Sequence, residues 1–157
     1  MGWVEDLHGR IVGLDTAPLI YYLEEHPRYM PQVNPFFEAR ARGRLEVVTS
    51  TVTLIEVLTL PLRQGDVALA DRYRELLLTT QGLTMRPVSP AVAEEAARLR
   101  AAHGLRTPDA IQLATARTAG AAAFLTNDAR LAVVRAPRVL VVDSLPLEEP
   151  EPPRRST

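Results

Sequence analysis

The residues with the most chemistry to offer are four acids set far apart in the chain. They are Asp15 in IVGLDT, Glu56 in TVTLIEVL, Asp109 in RTPDAIQLATA and Asp128 in AFLTNDARL. Each stands where a hydrophobic stretch gives way to a turn or a helix start. Carboxylates gathered from distant positions repel one another unless a cation joins them. The set therefore points to a hard divalent metal on oxygen ligands, Mg²⁺ or Mn²⁺, and to metal-assisted cleavage of a phosphodiester. Thr16, Thr126 and Asn127 stand beside these acids and are candidates to support phosphate or water around the ion, with an equal claim as cap and turn residues.

Each acid also has an ordinary structural use. Asp15 suits a helix cap, and Asp109, after Thr107 and Pro108, suits a first helical turn where the macrodipole favours negative charge. Thr53 and Glu56 have the spacing of a capping box, and Asp128 suits an Asn-Asp turn. The joint pattern favours the site. Glu56 sits among Leu54, Ile55, Val57 and Leu58, where a helix turned inward leaves little room for a solvated carboxylate, and a carboxylate at an apolar boundary needs a partner. The chain has no lysine, so an arginine or a metal must supply it.

Other chemistries find less support. Cysteine is absent, which excludes disulfides, thiolate metal sites and a thiol nucleophile. His8, His26 and His103 do not pair at ligand spacing and read as solvated. There is no glycine-rich phosphate loop with its lysine and no G-x-S-x-G elbow. Phosphoryl transfer through an aspartyl-phosphate at Asp15 would lack a lysine to neutralise the transferring group.

The elements that must position the acids follow from short apolar runs and their breakers. Strands are expected at 11–14, 45–49, 83–88, 122–126 and 138–142, with Pro87 placing the third at an edge. Helices are expected from Thr16, over 36–42 after the breaks at Pro27, Pro31 and Pro35, from 50–53 to near Pro61, after Gly65-Asp66, from Ser89-Pro90 to His103, and over 107–119. Alternation of this kind predicts an α/β three-layer sandwich with a mostly parallel central sheet flanked by helices. Functional crevices in such sheets lie beyond the carboxyl ends of the strands, which places Asp15 and Asp128 on one edge.

The 157 residues, 46% of them hydrophobic, suit one domain over 1–145, followed by a proline- and charge-rich tail over 146–157 that is expected to be disordered. The net charge of −1 does not announce a nucleic-acid binder. No signal peptide and no membrane-length apolar run is seen, so a cytoplasmic, soluble protein is expected.

The four acidic segments, in order and with fitting intervals, resemble the PIN-domain family of metal-dependent ribonucleases, and the chain from about residue 10 to 143 is similar to its VapC-type toxin branch. LDTAPLIYYLE resembles the opening strand and helix, STVTLIEVL the segment with the glutamate, TPDAIQLATA the most distinctive segment, and FLTNDARL the closing motif. The resemblance implies a Mg²⁺- or Mn²⁺-dependent endoribonuclease with Asp15, Glu56, Asp109 and Asp128 at the metal. It further implies an RNA substrate, a homodimer and a small cognate antitoxin that lays a helix into an apolar groove, for which Tyr21, Tyr22, Phe36 and Phe37 are candidate lining, with ordinary core packing an equal reading of them. The longer lead before the first strand and the proline-rich tail depart from the family pattern. Two other readings stay open at this point: a non-catalytic module binding RNA or protein, and a housekeeping RNA-maturation nuclease.

Overall fold

Five short apolar runs become strands, Ile11–Leu14 (β1), Glu46–Ser50 (β2), Leu83–Arg86 (β3), Ala123–Thr126 (β4) and Arg138–Val141 (β5). The computed structural model describes residues 2–148. The strands form one sheet in the order β3-β2-β1-β4-β5, every neighbouring pair parallel. Parallel neighbours need crossovers. Six helices occupy the intervals: Thr16–Leu23 (α1), Met30–Ala41 (α2), Thr51–Gln64 (α3), Val67–Thr79 (α4), Pro90–His103 (α5) and Thr107–Thr118 (α6). A short 3-10 helix, Ala129–Val133, links β4 to β5.

Side chains alternate across a strand, and here the alternation feeds two cores. Val12, Leu14, Ala123 and Leu125 pack with Leu19, Phe36, Phe37, Val57 and Tyr73 on the face covered by α1 to α4. Phe124 points the other way, to Val92, Leu99, Leu113 and Ala116 of α5 and α6. Gly13, between Val12 and Leu14, also faces α6, and its lack of a side chain lets that helix lie close on β1. The expected three-layer sandwich is present, and β3, ending before Pro87, is an edge strand as expected.

Two proline inferences fail. α2 begins at Met30, well before the expected residue 36, because Pro31 sits in the first turn, where an N–H has no helical partner. Pro35 lies inside the helix at the cost of one backbone bond, while Val33, Phe36, Phe37 and Ala39 are buried around it. α3 likewise runs through Pro61, a buried residue, and stops only at Gly65. The Gly65 φ of 69° is left-handed, and the N–H groups of Gly65 and Asp66 close the helix on the carbonyls of Leu62 and Pro61. Gly65→Ala should therefore cost about 1 kcal/mol in urea denaturation, with no change in the fold.

The candidate groove lining is corrected as well. Phe36 and Phe37 are fully buried core residues in edge-to-face contact, and Tyr22 stacks on Phe37 at 4.1 Å between centroids. Tyr21 is partly exposed but closes a cluster with Tyr29 and His26. These rings pack α1 on α2 rather than lining a groove. Of the expected tail, Pro146 accepts a hydrogen bond from Trp3 Nε1 and Glu148 one from the Val4 N–H; residues 149–157 lie outside the described residues.

Candidate functional site

β1 and β4 are adjacent and end together, so Asp15 and Asp128 emerge at one sheet edge. The backbone ties them further, since Asp15 N–H donates to the Leu125 carbonyl at 2.9 Å. Asp15 caps α1: its Oδ1 accepts from Thr16 N at 2.8 Å. Its Oδ2 accepts from Thr126 Oγ1 at 2.7 Å, and that same hydroxyl accepts from Asp128 N at 3.0 Å. Thr126 is fully buried. One hydroxyl thus fixes the Asp15 carboxylate and the turn that carries Asp128.

Glu56 and Asp109 reach the same edge from helices. Ser50, not Thr53, caps α3 through its contact with Val52 N at 3.1 Å, so the expected capping box does not form. Glu56 falls in the second turn and lies at the surface beside Ile55, which is 67% exposed. The expectation that all of LIEVL turns inward is therefore corrected: of this stretch only Val57 is buried, because one helix cannot present five consecutive residues to a single face. Asp109 occupies the first turn of α6, as expected.

The electrostatics show which acids sense each other. Burial pushes the Asp15 carboxyl above its ordinary value; Thr126 and the Thr16 N–H oppose this, and the charges of Asp109 and Asp128 add to it. Partial desolvation raises Glu56 too, followed by the charge of Asp15, with the Thr16 hydroxyl pulling the other way and Asp109 adding a smaller push. The four acids form one mutually repelling group, centred on Asp15.

Two of the four are neutralised from within the chain. Arg130 grips Asp128 through Nη2 at 2.7 Å and Nε at 3.0 Å, and this holds the Asp128 carboxyl below its ordinary range. Arg106 Nε lies 3.3 Å from Asp109 Oδ2. Both arginine side chains are more than 70% exposed. No three acids stand as a ready ligand group among the described residues, and Asp109 and Asp128 are each turned onto an arginine. The donor set itself suits a hard cation, being carboxylate oxygen throughout, with a desolvated, repelled Asp15 at its centre.

The remaining candidates divide. Thr16 is buried at the foot of the site, with its Oγ1 3.3 Å from Gln112 Nε2. Asn127, read either as a support for phosphate or water or as a turn residue, braces the turn. Its Nδ2 donates to Tyr21 Oη at 3.0 Å and its Oδ1 accepts from Asp143 N at 2.9 Å, which uses both ends of the amide. Among the histidines, His26 is used by the fold, accepting from the N–H groups of Arg28 and Tyr29. The sequence reading missed Gln112. The available signal was a lone amide between Ile111 and Leu113, one helical turn after Asp109.

The model for the PIN domain matches residues 12–137. The chain belongs to the PIN-domain family. Its fold is similar to several solved structures. One is the VapBC2 structure from Rickettsia felis bound to a promoter DNA fragment (TM-score 0.64, 14% identity, 83% of this chain and 98% of that one). A second is a toxin–antitoxin complex from Klebsiella pneumoniae (TM-score 0.63, 22% identity, 85% and 98%). A third is VapC20 of Mycobacterium tuberculosis, a sarcin–ricin loop cleaving toxin (TM-score 0.58, 20% identity, 73% and 86%). No curated protein matches the chain. The PIN-domain match runs from within β1 to the residue before β5, and so includes all four acids.

Proposed function

We propose that this PIN domain is a divalent-metal-dependent endoribonuclease and the toxin half of a type II toxin–antitoxin pair. The observation that carries the reading is the convergence of Asp15, Glu56, Asp109 and Asp128 into one repelling group at the sheet edge. Asp15, Glu56, Asp109 and Asp128 would hold Mg²⁺ or Mn²⁺. Such an ion supplies Lewis acidity, which offsets phosphoryl charge and makes water a better nucleophile.

The chain's own residues do the rest. Thr126 and the Thr16 N–H hold both oxygens of Asp15 in one orientation. Desolvation of Asp15 strengthens its attraction for a cation relative to an exposed carboxylate. Arg106 and Arg130, on exposed side chains, can leave Asp109 and Asp128 and meet RNA phosphates at the rim. The reaction is hydrolysis: the oxygen of water bonds phosphorus, the bond to one ribose oxygen breaks, and that oxygen leaves with a proton.

A cognate antitoxin and a homodimer belong to the same proposal, as does a cytoplasmic location. They are supported by the structural likeness to toxin–antitoxin complexes and by exposed apolar side chains at Ile55, Leu62 and Val67 on α3 and α4. No helix among the described residues is long and apolar enough to cross a membrane.

The test is RNA cleavage by EDTA-stripped protein. Activity should be absent in EDTA and return with Mg²⁺ or Mn²⁺. RNA binding without cleavage under either metal would favour a binding module instead.

A further inference from the structure

Beneath the acids lies a buried polar network that the proposed chemistry does not itself use. Gln112 of α6 is 2% exposed and Ser50, Thr53 and Thr49 are 1% or less. Gln112 Oε1 accepts from Ser50 Oγ at 2.8 Å, while its Nε2 donates to Thr53 Oγ1 at 2.6 Å and to Thr16 Oγ1 at 3.3 Å. Thr49 Oγ1 donates to the Leu14 carbonyl at 2.9 Å. That uses the only hydroxyl proton of Thr49, so in the Thr49–Thr53 contact at 2.7 Å the donor is Thr53. Thr53 then receives the Gln112 amide as acceptor. The proton count fixes the amide's orientation, and both of its hydrogens are spent on helix starts.

The placement of the acids repeats this arrangement one step outward. Asp15 is the residue before Thr16. Glu56 is three residues after Thr53, and Asp109 three before Gln112, spacings that put each pair on one face of its helix. Thr16, Thr53 and Gln112 itself therefore each have a site acid one residue or one turn away. α6 bonds to β2 through Ser50, to α3 through Thr53 and to α1 through Thr16 by this single side chain.

We propose that Gln112 is a positioning residue for the metal site: its amide ties α6 to the first turns of α1 and α3 so that Asp15, Glu56 and Asp109 meet. The proposal rests on the metal-dependent reading of the site. A buried amide with all its hydrogen bonds made specifies one arrangement of its neighbours, whereas an apolar residue of like volume would hold the helices by contact alone.

Gln112→Met keeps the length of the side chain and removes its three bonds. Mn²⁺ affinity, read by EPR titration of the intact chain, should fall about 10–100-fold, and RNA-cleaving kcat/KM should fall with it. Thr53→Val breaks the same network from α3 and should lower affinity in the same direction, with the double variant little worse than Gln112→Met. Val92→Ala, a core truncation on α5, should lower the melting temperature yet leave Mn²⁺ affinity unchanged, which separates positioning from general loosening. Wild-type affinity in a folded Gln112→Met protein overturns the positioning role and leaves the nuclease reading standing. If Gln112→Met does not fold, Thr53→Val decides in the same way. A wild-type protein that binds no Mn²⁺ overturns both.

Discussion

Asp15→Asn is expected to abolish metal-dependent RNA cleavage and at the same time to raise the melting temperature of the metal-free protein. The two effects have one cause. Asp15 is desolvated and faces the charges of Asp109 and Asp128, so its carboxyl titrates above the ordinary 3.8. Between the unfolded value and the raised folded value, the native state binds more protons than the unfolded one. Stability therefore falls as pH rises through that window, and the loss is complete above the folded value. Asparagine removes the charge and keeps one acceptor oxygen for the Thr16 N–H cap, while its NH2 group meets the Thr126 hydroxyl as a donor in place of the second carboxylate oxygen. In EDTA at neutral pH the variant should melt a few degrees higher than wild type, and less of its stability should be lost as pH rises. Saturating Mn²⁺ should stabilise the wild type and leave the variant almost unmoved. Outer partners of a bound metal cost 10–100-fold when removed, so a direct ligand should cost more than about 100-fold in kcat/KM. Wild-type cleavage by a folded Asp15→Asn protein would remove Asp15 from the site. A lower melting temperature in EDTA would refute the repulsion described above.

Gly13→Ala destabilises the fold from its centre. A Cβ on Gly13 would stand 2.4 Å from Ala116 Cβ and 2.9 Å from Phe124 Cδ2, in the seam between β1 and α6. Neither neighbour is a long flexible chain that can swing away, so α6 must lift. Overpacking of this kind costs about 1–3 kcal/mol, and the closeness of the contacts puts the expected value at the upper end. α6 carries Asp109 and Gln112, so activity should fall more than stability alone explains. Ala116→Gly removes the nearer contact at a helix cost of about 1 kcal/mol. In urea denaturation the double variant should lose less than the sum of the two singles, the sign of coupling between touching residues. Strict additivity would mean that the seam relaxes elsewhere.

The parts of this fold legible in the sequence are those decided locally. β1 at Ile11–Leu14 and the edge position of β3 follow from runs and breakers, as do the capped starts at Asp15, Asp66 and Ser89. The extents of α2 and α3 were not legible, because Pro35 and Pro61 are tolerated where burial around them outweighs a missing backbone bond. Phe36 and Phe37 failed as groove residues for a related reason: adjacent aromatics look available until the sheet they pack on is known. Within the site, the four acids were readable as a set, since each breaks a hydrophobic segment. Their arginine partners were less so. Arg130 is two residues from Asp128 and Arg106 three from Asp109, distances that say nothing about whether the side chains turn toward the acid or toward water. Gln112 was hidden because its partners, Ser50, Thr53 and Thr16, lie some 60 to 100 positions earlier.

The strand order has a consequence for how such a protein is made. β1, synthesised early, finds its second neighbour only when β4 has been translated, more than a hundred residues later. Until then Thr126 is missing from Asp15 and Asp128 does not exist. A nascent chain still attached to the ribosome thus has no assembled acidic centre until β4 has left the exit tunnel and paired with β1.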